Sequence, residues 1–367
     1  MTPCDSIPWA KPNFWGNEHE YVAQALASSW ISGGPFVDRF ERDFAQYQGV
    51  RHATTASNGT TALHMAFLAL GVQPGDEVIV PGFAFLAAAN VALHMNAKPI
   101  FTEVDPLTWC MTAAHAEKCL TPRTKVIVPV HTYGNVCEMD EIVDLVSGRA
   151  IAVVEDVAEA FASRYKNRLA GTMGNMGAFS FQATKTITTG EGGMVVTDSG
   201  ELCEKMSLFR SHGTLRRRYW HEVAGHNFRL TNLQAALGCA QLEKIGQITR
   251  ERKRVHRTYQ NCLSKVPGAM LQHFPLEVDP IVWAIAVQLD PQAYPQGRDA
   301  VMRELESAQI ETRNGFYAAC LLSHLYGCMK MPVCQDLSQR VISLPTYPTL
   351  QEEQIEFICA RLKALQA

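Results

Sequence analysis

Between about residues 50 and 200, short runs of apolar residues alternate with segments of helical character. The apolar runs are continuous and rich in β-branched side chains, which is typical of strands that are buried on both faces. Helices between such strands favour parallel pairing, because parallel neighbours need a crossover connection. Strands are therefore predicted at 78–80, 99–101, 126–130, 151–154, 178–181 and 194–196, and helices at 60–70, 85–95, 140–146 and 201–209.

A further helix is predicted to begin after Thr231. Thr231 and Gln234 have the spacing of a capping box, and the helix is expected to continue as one element towards Tyr259. A chain of 367 residues also exceeds the size at which a single hydrophobic core stops growing. We therefore expect an α/β fold with a mostly parallel central sheet flanked by helices. A large domain over 1–245 would be joined by this helix to a smaller α+β domain over 246–367.

Composition and charge argue against several classes of partner. The net charge of −3 gives no reason to expect nucleic acid or an anionic membrane, and the basic cluster within 250–257 is interpreted as a solvated helix face. The longest apolar stretches, such as 83–93, are too short and interrupted to span a bilayer. The eleven cysteines are scattered, and the first residues do not resemble a signal peptide. We therefore expect a cytoplasmic protein with free thiols and no metal site.

Two residues at predicted strand ends are candidates for chemistry. Lys185 follows the strand at 178–181 and precedes a turn rich in threonine and glycine. Partial burial there would lower its pKa and free a neutral amine for Schiff-base formation, although by itself the position suits a surface lysine better. Asp156 ends a predicted central strand, where open α/β sheets bind ligands. It could pair with a protonated cofactor nitrogen, and a helix N-cap is an equally good explanation.

A possible phosphate site precedes the predicted helix at 60–70. The segment Ser57-Asn58-Gly59-Thr60-Thr61 combines a glycine, which permits close backbone approach, with hydroxyl donors. The free N–H groups at a helix start favour a phosphate dianion. An ordinary N-cap with a turn glycine explains the segment equally well, so no single motif decides the function.

The ordered set of motifs is far more specific than any one of them. Ser-Asn-Gly-Thr at 57–60, Pro-Gly-Asp-Glu-Val-Ile-Val-Pro at 74–81, Glu155-Asp156 and the Phe-Ser-Phe…Lys…Gly-Glu-Gly-Gly stretch at 179–193 follow one another. This order, from about residue 12 to 313, resembles the nucleotide-sugar aminotransferases of the DegT family. The resemblance implies the fold of fold-type I aminotransferases and the cofactor pyridoxal 5′-phosphate (PLP). Residues 185–193 and 218–221 are most similar to those of GDP-perosamine synthases.

The resemblance also implies roles for individual residues. Lys185 would form the Schiff base with PLP, Asp156 would hold the pyridine nitrogen, and Glu159 would lie near the phenolic oxygen. Phe85 would stack on the ring, where core packing is the alternative explanation. Phosphate contacts are implied for Gly59, Thr60 and Ser180. Asn227 matches a residue that reaches the phosphate of the neighbouring subunit, which implies a homodimer with shared active sites.

Substrate contacts are implied with less support. The candidates are Trp30, His131, His221, Arg229 and Arg313. His131 could instead be a satisfied buried histidine, and the two arginines could be ordinary salt-bridge residues. Relatives commonly follow the Thr-Arg segment with Pro-Leu-His, whereas this chain continues differently over 312–320. That region helps to close over the substrate. The departure therefore leaves the identity of the substrate undecided, and it does not affect the expected chemistry.

The resemblance implies transfer of an amino group from L-glutamate to a keto sugar nucleotide. The expected reaction converts GDP-4-keto-6-deoxymannose into GDP-perosamine, and a dTDP- or UDP-linked 3- or 4-keto sugar is the alternative. A PLP-dependent sugar dehydratase would carry histidine at the position of Lys185, which argues against that class. A non-catalytic ligand-binding protein would have no need of the complete set of lysine, aspartate and phosphate site.

Overall fold

The computed structural model describes residues 6–217, 219–325 and 330–367. Over these residues the strands are β1 (His52–Ala56), β2 (Glu77–Pro81), β3 (Lys98–Thr102), β4 (Thr124–Ile127), β5 (Ala152–Asp156), β6 (Arg164–Tyr165), β7 (Arg168–Leu169), β8 (Met176–Ser180), β9 (Gly193–Thr197), β10 (Ala269–Leu271), β11 (Val278–Asp279), β12 (Ile285–Leu289), β13 (Arg313–Asn314) and β14 (Val341–Leu344).

The helices lie between and after these strands. They are α1 (Glu18–Ala27), α2 (Pro35–Gln48), α3 (Gly59–Ala69), α4 (Ala87–His94), α5 (Ala113–Glu117), α6 (Met139–Val146), α7 (Gly200–Arg210), α8 (Asn232–Glu243), α9 (Ile245–Leu263), α10 (Arg298–Ser307), α11 (Pro332–Arg340) and α12 (Glu352–Ala364), with 3₁₀ turns at Thr132–Gly134 and Ala319–Leu321. Over the described part of the chain, no helix is both long enough and apolar enough to cross a membrane.

The largest sheet has seven strands in the order β1-β9-β8-β5-β4-β2-β3. Its five strands from β3 to β8 pair in parallel, whereas β9 pairs antiparallel with both β8 and β1. The predicted α/β fold with a mostly parallel sheet is therefore confirmed. Each of the six predicted strands corresponds to a strand of this sheet, and β1 is the strand that the pattern did not predict.

Both faces of this sheet are buried, as the continuous apolar runs indicate. In β2, Val78 and Val80 belong to one hydrophobic cluster and Ile79 belongs to the other. The first cluster includes the apolar residues of α3 and α4, and the second includes Phe40 and Phe44 of α2. The sheet is thus a middle layer between two helical layers. Because both faces are covered, a ligand can reach the sheet only at the ends of its strands.

The chain ends in a separate antiparallel sheet of four strands, in the order β10-β12-β14-β13. Its hydrophobic cluster joins residues of α9, α10 and α12. The capping box at Thr231 and Gln234 is present, but the single long helix predicted after it is wrong. Helix α8 ends before Lys244 and α9 begins at Ile245, and Gly246, a poor helix former, lies at the break. The division between residues 245 and 246 stays a prediction.

Candidate active site

A cavity of about 710 Å³ opens at the carboxyl ends of the central parallel strands. Asp156 of β5 and Ser180 of β8 form its floor, and the first turn of α3 forms one side. The opposite side comes from the smaller sheet, through Arg313 of β13 and Ser343 of β14. The cavity therefore lies where strand ends, a helix start and the smaller sheet converge.

Asp156 is held by the backbone around it. As the last residue of β5, it donates its N–H to the carbonyl of Pro129, and its own carbonyl accepts the N–H of His131. The side-chain carboxylate accepts the N–H of Ala158 at 3.0 Å. Burial raises the pKa of Asp156, against the opposing effects of the Ala158 N–H and the positive charge of Lys185. An opposite charge or a protonated donor in the cavity would therefore stabilise the carboxylate.

The neighbouring Glu155 points to the other face of β5 and serves a different purpose. Its carboxylate accepts the N–H groups of Gly171, Met173 and Gly174 at 2.8, 2.6 and 2.7 Å. The Nε2 of His131 lies 3.0 Å from the same carboxylate. Glu155 thus fixes the loop that precedes β8, and its partners satisfy a charge that is fully buried.

Lys185 follows β8 in a loop that is closed by backbone hydrogen bonds. The N–H of Phe181 donates to Gly192, and the N–H of Lys185 donates to Gln182. The side chain of Lys185 is only 14% exposed, and its Nζ lies 3.9 Å from Oε1 of Glu159. Burial lowers the pKa of Lys185, while Glu159 and Asp156 oppose that change. The position therefore favours a neutral, nucleophilic amine.

Glu159 faces the same cavity from the turn after β5. Its Oε2 accepts the N–H of Tyr133 at 2.9 Å, and the side chain is almost completely buried. Burial raises the pKa of Glu159 to about 7, although Lys185 and the Tyr133 N–H act in the opposite direction. A carboxyl group that titrates near neutral pH can hold or release a proton during a reaction.

The start of α3 is prepared to bind an anion. Asn58 and Thr61 cap each other, because the Thr61 N–H donates to Oδ1 of Asn58 and the Asn58 N–H donates to Oγ1 of Thr61. Gly59 and Thr60 follow this cap and line the cavity. A Cβ added to Gly59 would lie 2.8 Å from Cβ of Ser180, so this close approach requires glycine. Free N–H groups, a hydroxyl and the helix dipole then meet at one point.

Aromatic rings form much of the remaining cavity wall. Phe85 is 62% exposed and lies at the cavity edge, with its ring centroid 6.4 Å from that of Phe316. Tyr133 stacks on Phe316 at 5.0 Å and on Trp283 at 6.2 Å between ring centroids. Trp9, Tyr133, Trp283 and Phe316 were not predicted, because they come from distant segments that only the fold brings together.

Two of the predicted substrate residues have different surroundings. Arg313 lines the cavity and forms an ion pair with Glu311. His131 is fully buried, and its Nδ1 accepts the N–H of Cys137 at 3.2 Å while Nε2 faces Glu155. The structure does not bring the His131 side chain into the cavity, and it corresponds to the alternative of a satisfied buried histidine.

Four further predicted residues lie on the surface, away from the cavity of their own chain. Asn227 accepts a hydrogen bond from Nε of Arg229 at 3.0 Å, and His221 lies 2.7 Å from the carbonyl of His212. Trp30 is 66% exposed, and its carbonyl accepts a hydrogen bond from Asn232. Arg218, in one of the stretches that carries the resemblance, lies outside the described residues.

Comparison with known proteins accounts for this arrangement. Residues 14–363 match the model of the DegT/DnrJ/EryC1/StrS aminotransferase family, which is nearly the whole chain. The chain belongs to this family. Among the relatives of this aminotransferase, the GDP-perosamine synthase of Escherichia coli O157:H7 is 40% identical over 358 residues, with 96% of each chain covered. The GDP-perosamine synthase of Caulobacter vibrioides is 38% identical over 368 residues, with 99% of each chain covered.

Solved structures agree with the family assignment. The crystal structure of an aminotransferase from Streptoalloteichus hindustanus matches the DegT-family chain with a TM-score of 0.92 and 30% identity, covering 98% of both chains. The prediction that the chain has the fold of the fold-type I aminotransferases is therefore also confirmed. Aminotransferases of this family depend on PLP, so the predicted cofactor and enzyme class are confirmed.

The residues around the cavity of this aminotransferase fit the shape and charge of PLP. The start of α3 suits a phosphate group, because Gly59 has no Cβ that would collide with Ser180. The buried carboxylate of Asp156 suits a protonated ring nitrogen, and the buried amine of Lys185 suits an aldehyde. The described residues contain no group of three or more His, Cys, Asp or Glu side chains arranged to hold a metal ion.

Proposed function

We propose that this DegT-family enzyme transfers the amino group of L-glutamate to GDP-4-keto-6-deoxymannose and forms GDP-perosamine. The observation that carries the proposal is the convergence of Lys185, Asp156 and the start of α3 on one cavity. The substrate is proposed from the two relatives that are 40% and 38% identical over nearly their whole length and are named GDP-perosamine synthases.

Each part of the cofactor has a proposed partner. Gly59, Thr60 and Ser180 bind the phosphate, and Asp156 keeps the ring nitrogen protonated. Phe85 packs on the ring from the cavity edge, where its side chain is exposed. When bound, PLP supplies an electron sink that stabilises negative charge on the carbon next to the transferred nitrogen.

The proton transfers are assigned to Lys185. Lys185 would hold the cofactor through its amine at rest, and when this amine is free, Nζ can take the proton from Cα of L-glutamate. Burial lowers the pKa of this amine, which keeps it in the basic form that the step requires. Glu159, 3.9 Å away, stabilises the ammonium that forms. The same lysine returns a proton to the sugar carbon in the second half-reaction, which yields the amino sugar.

The active site is proposed to be shared between two copies of the chain. Trp30, His221, Asn227 and Arg229 are exposed and do not line the cavity of their own chain. Asn227 would reach the phosphate bound by the partner subunit, and the others would face the sugar nucleotide. Arg313 already lines the cavity from the smaller sheet and needs no partner for that role.

The cytoplasm is the proposed location. The nine cysteines of the described residues are all free thiols, which suits a reducing compartment.

A division into two domains between residues 245 and 246 is also proposed, with the seven-stranded sheet in the first unit and the four-stranded sheet in the second.

The function can be tested with purified enzyme, L-glutamate and a panel of keto sugars linked to GDP, dTDP and UDP. We expect formation of 2-oxoglutarate in a ratio of one to one with an amino sugar, and the highest kcat/KM with the GDP-linked 4-keto sugar. A preference for a dTDP- or UDP-linked sugar would overturn the proposed substrate. Loss of a sugar hydroxyl without net consumption of glutamate would indicate a dehydratase instead.

A further inference from the structure

The amine of Lys185 lies against the face of an indole ring. Its Nζ is 3.6 Å from the ring centroid of Trp283, which is within the range of a cation–π contact. This contact is distinct from the longer ion pair of Lys185 with Glu159. The indole therefore touches the one side chain that must change partners during aminotransfer.

The Trp283 ring is held on several sides. Its Nε1 donates to the carbonyl of Thr184 at 2.8 Å, and this carbonyl belongs to the residue before Lys185. The ring stacks on Tyr133 with an interplanar angle of 12° and meets the edge of Trp9 at 5.5 Å. The main-chain N–H of Trp283 also donates to the carbonyl of Tyr133. The plane of the indole is therefore fixed relative to the lysine loop.

Behind Trp283 lies a buried arginine that has no carboxylate partner among the described residues. Arg252 of α9 is 4% exposed, and its Nη1 donates to the carbonyls of Val282 and Trp283 at 3.3 and 3.0 Å. Its Nε is buried and has no hydrogen-bond partner within the described chain. Arg252 and Lys185 also line the same small void. A buried charge without an opposite charge is costly, so its retention calls for a specific role.

We propose that Trp283 and Arg252 are positioning residues for Lys185, and the inference rests on the proposed function. The indole face holds the free Lys185 amine in the interval between its release from the cofactor and its return. The guanidinium of Arg252 fixes the backbone at Trp283 and therefore the plane of that ring. Neither side chain is assigned a proton transfer, and neither replaces Glu159 or Asp156 as the charged groups that face the lysine.

The proposal predicts the direction in which the pKa of Lys185 changes. Glu159 and Asp156 raise that pKa, whereas burial and the charge of Arg252 lower it. The indole face stabilises the ammonium form, so its loss in Trp283→Leu should lower the pKa of Lys185 by roughly half to one unit. Trp283→Phe keeps an aromatic face and should lower the pKa less. If Trp283 only excluded water, Trp283→Leu would admit solvent and raise the pKa instead.

The pKa can be measured in the state in which the lysine is free. Holoenzyme charged with excess L-glutamate is treated with trace acetic anhydride between pH 7 and 10, and the acetylation of Lys185 is quantified by peptide mass spectrometry. The exposed Lys98 in the same sample serves as the internal reference. The measurement needs only the half-reaction with L-glutamate and no keto sugar, so complete turnover is not required.

Arg252 is tested by its dependence on Trp283. Arg252→Lys keeps the positive charge but loses the planar guanidinium, and it should lower the pKa of Lys185 in the otherwise wild-type chain. In the Trp283→Leu background, the same substitution should change nothing further, because the ring it positions is absent. Arg254→Lys is the matched control, since Arg254 lies on the same helix and pairs with Glu251. This control should not alter the Lys185 pKa.

Three outcomes would overturn the proposal. These are an unchanged or raised Lys185 pKa in Trp283→Leu, an unchanged pKa in Arg252→Lys, and an Arg252→Lys effect of equal size in both backgrounds. Thermal unfolding of every variant identifies any that fail to fold, and Trp283→Phe then carries the test. Failure of the proposed function is distinguishable, because it would appear in the wild-type enzyme itself, as no 2-oxoglutarate formed from L-glutamate or as a cofactor that borohydride reduction fixes on a lysine other than Lys185.

Discussion

The amine of Lys185 and the carboxylate of Glu159 lie 3.9 Å apart, and both side chains are almost excluded from solvent. Burial acts against the charged form of each group, and the two charges stabilise each other. The pair therefore holds a basic amine and an acid that titrates near neutral pH at one point of the cavity wall, and this arrangement should be visible in stability as well as in catalysis.

Glu159→Gln should change how stability depends on pH. The pKa of Glu159 is raised to about 7, above that of an unfolded glutamate, so the native state holds an extra proton between these two values. Wild-type stability should therefore fall relative to the variant as pH rises from 5 to 8, by roughly 2–3 kcal/mol. Urea unfolding of the cofactor-free proteins measures this difference. Glu201→Gln, at a surface ion pair with Lys205, should show no comparable trend.

Lys185→Ala should abolish aminotransfer while the fold is retained. Borohydride reduction of the wild-type holoenzyme, followed by peptide mapping, should locate the cofactor on Lys185. Lys166→Ala is the control, because Lys166 is exposed and pairs with Asp140 at the surface. A label on Lys166 or Lys205 would show that the Schiff-base lysine has been assigned wrongly.

Asp156→Asn should lower kcat by about 10²-fold or more, the scale expected when one electrostatic stabiliser is removed. Asparagine has a similar volume and can still accept the N–H of Ala158, so the fold should remain nearly intact. Steady-state kinetics and thermal unfolding separate the two effects. Asp140→Asn, at an exposed position, should have wild-type kinetics. Near-wild-type turnover of Asp156→Asn would mean that another group holds the pyridine nitrogen.

Gly59→Ala should weaken cofactor binding by about tenfold or more. Its Cβ would lie 2.8 Å from Cβ of Ser180, and an overpacked contact of this kind typically costs about 1–3 kcal/mol. Titration of the cofactor-free protein with PLP measures the affinity. Gly246→Ala is the matched control, because a Cβ there meets no atom within 4 Å. Equal affinity of both variants would argue against a phosphate site at the start of α3.

Lys185→Ala and Asn227→Ala should complement each other if the active sites are shared. A mixed dimer would have one site with both wild-type residues and one site that lacks both. Activity should recover towards half of the wild-type value per mixed dimer after subunit exchange. Asn227→Ala must first be shown to lose activity, because one hydrogen bond to a charged group contributes only about 1.5–3 kcal/mol. No recovery despite proven exchange would assign Asn227 to its own chain.

The parallel part of the large sheet could be predicted because each of its strands is a short apolar run buried on both faces. Strand β1 could not, since His-Ala-Thr-Thr-Ala has no apolar run and lies at the sheet edge, where its pairing with β9 decides its conformation. The capping box at Thr231 predicted the start of α8 correctly. The break at Lys244 was missed, because helical character continues on both sides of it.

The residues of the cavity likewise include some that the sequence could predict and some that it could not. Lys185, Asp156 and Gly59 were found because local motifs place them at a strand end or a helix start, and all three line the cavity. Trp283 gave no such local signal, because its position depends on how the smaller sheet packs on the larger one. For His131, the resemblance implied a substrate contact, but the sequence could not show which way the side chain points.

The two acids that end β5 divide structure and chemistry between them. Successive residues of a strand face opposite sides, so a slip of one residue would exchange Glu155 and Asp156. Glu155 accepts N–H groups from Met173 and Gly174, which gives it a place that the shorter Asp156 could not fill equally well. These hydrogen bonds therefore fix the register of β5. The direction in which the Asp156 carboxylate points therefore depends on the Glu155 carboxylate, which faces away from the cavity.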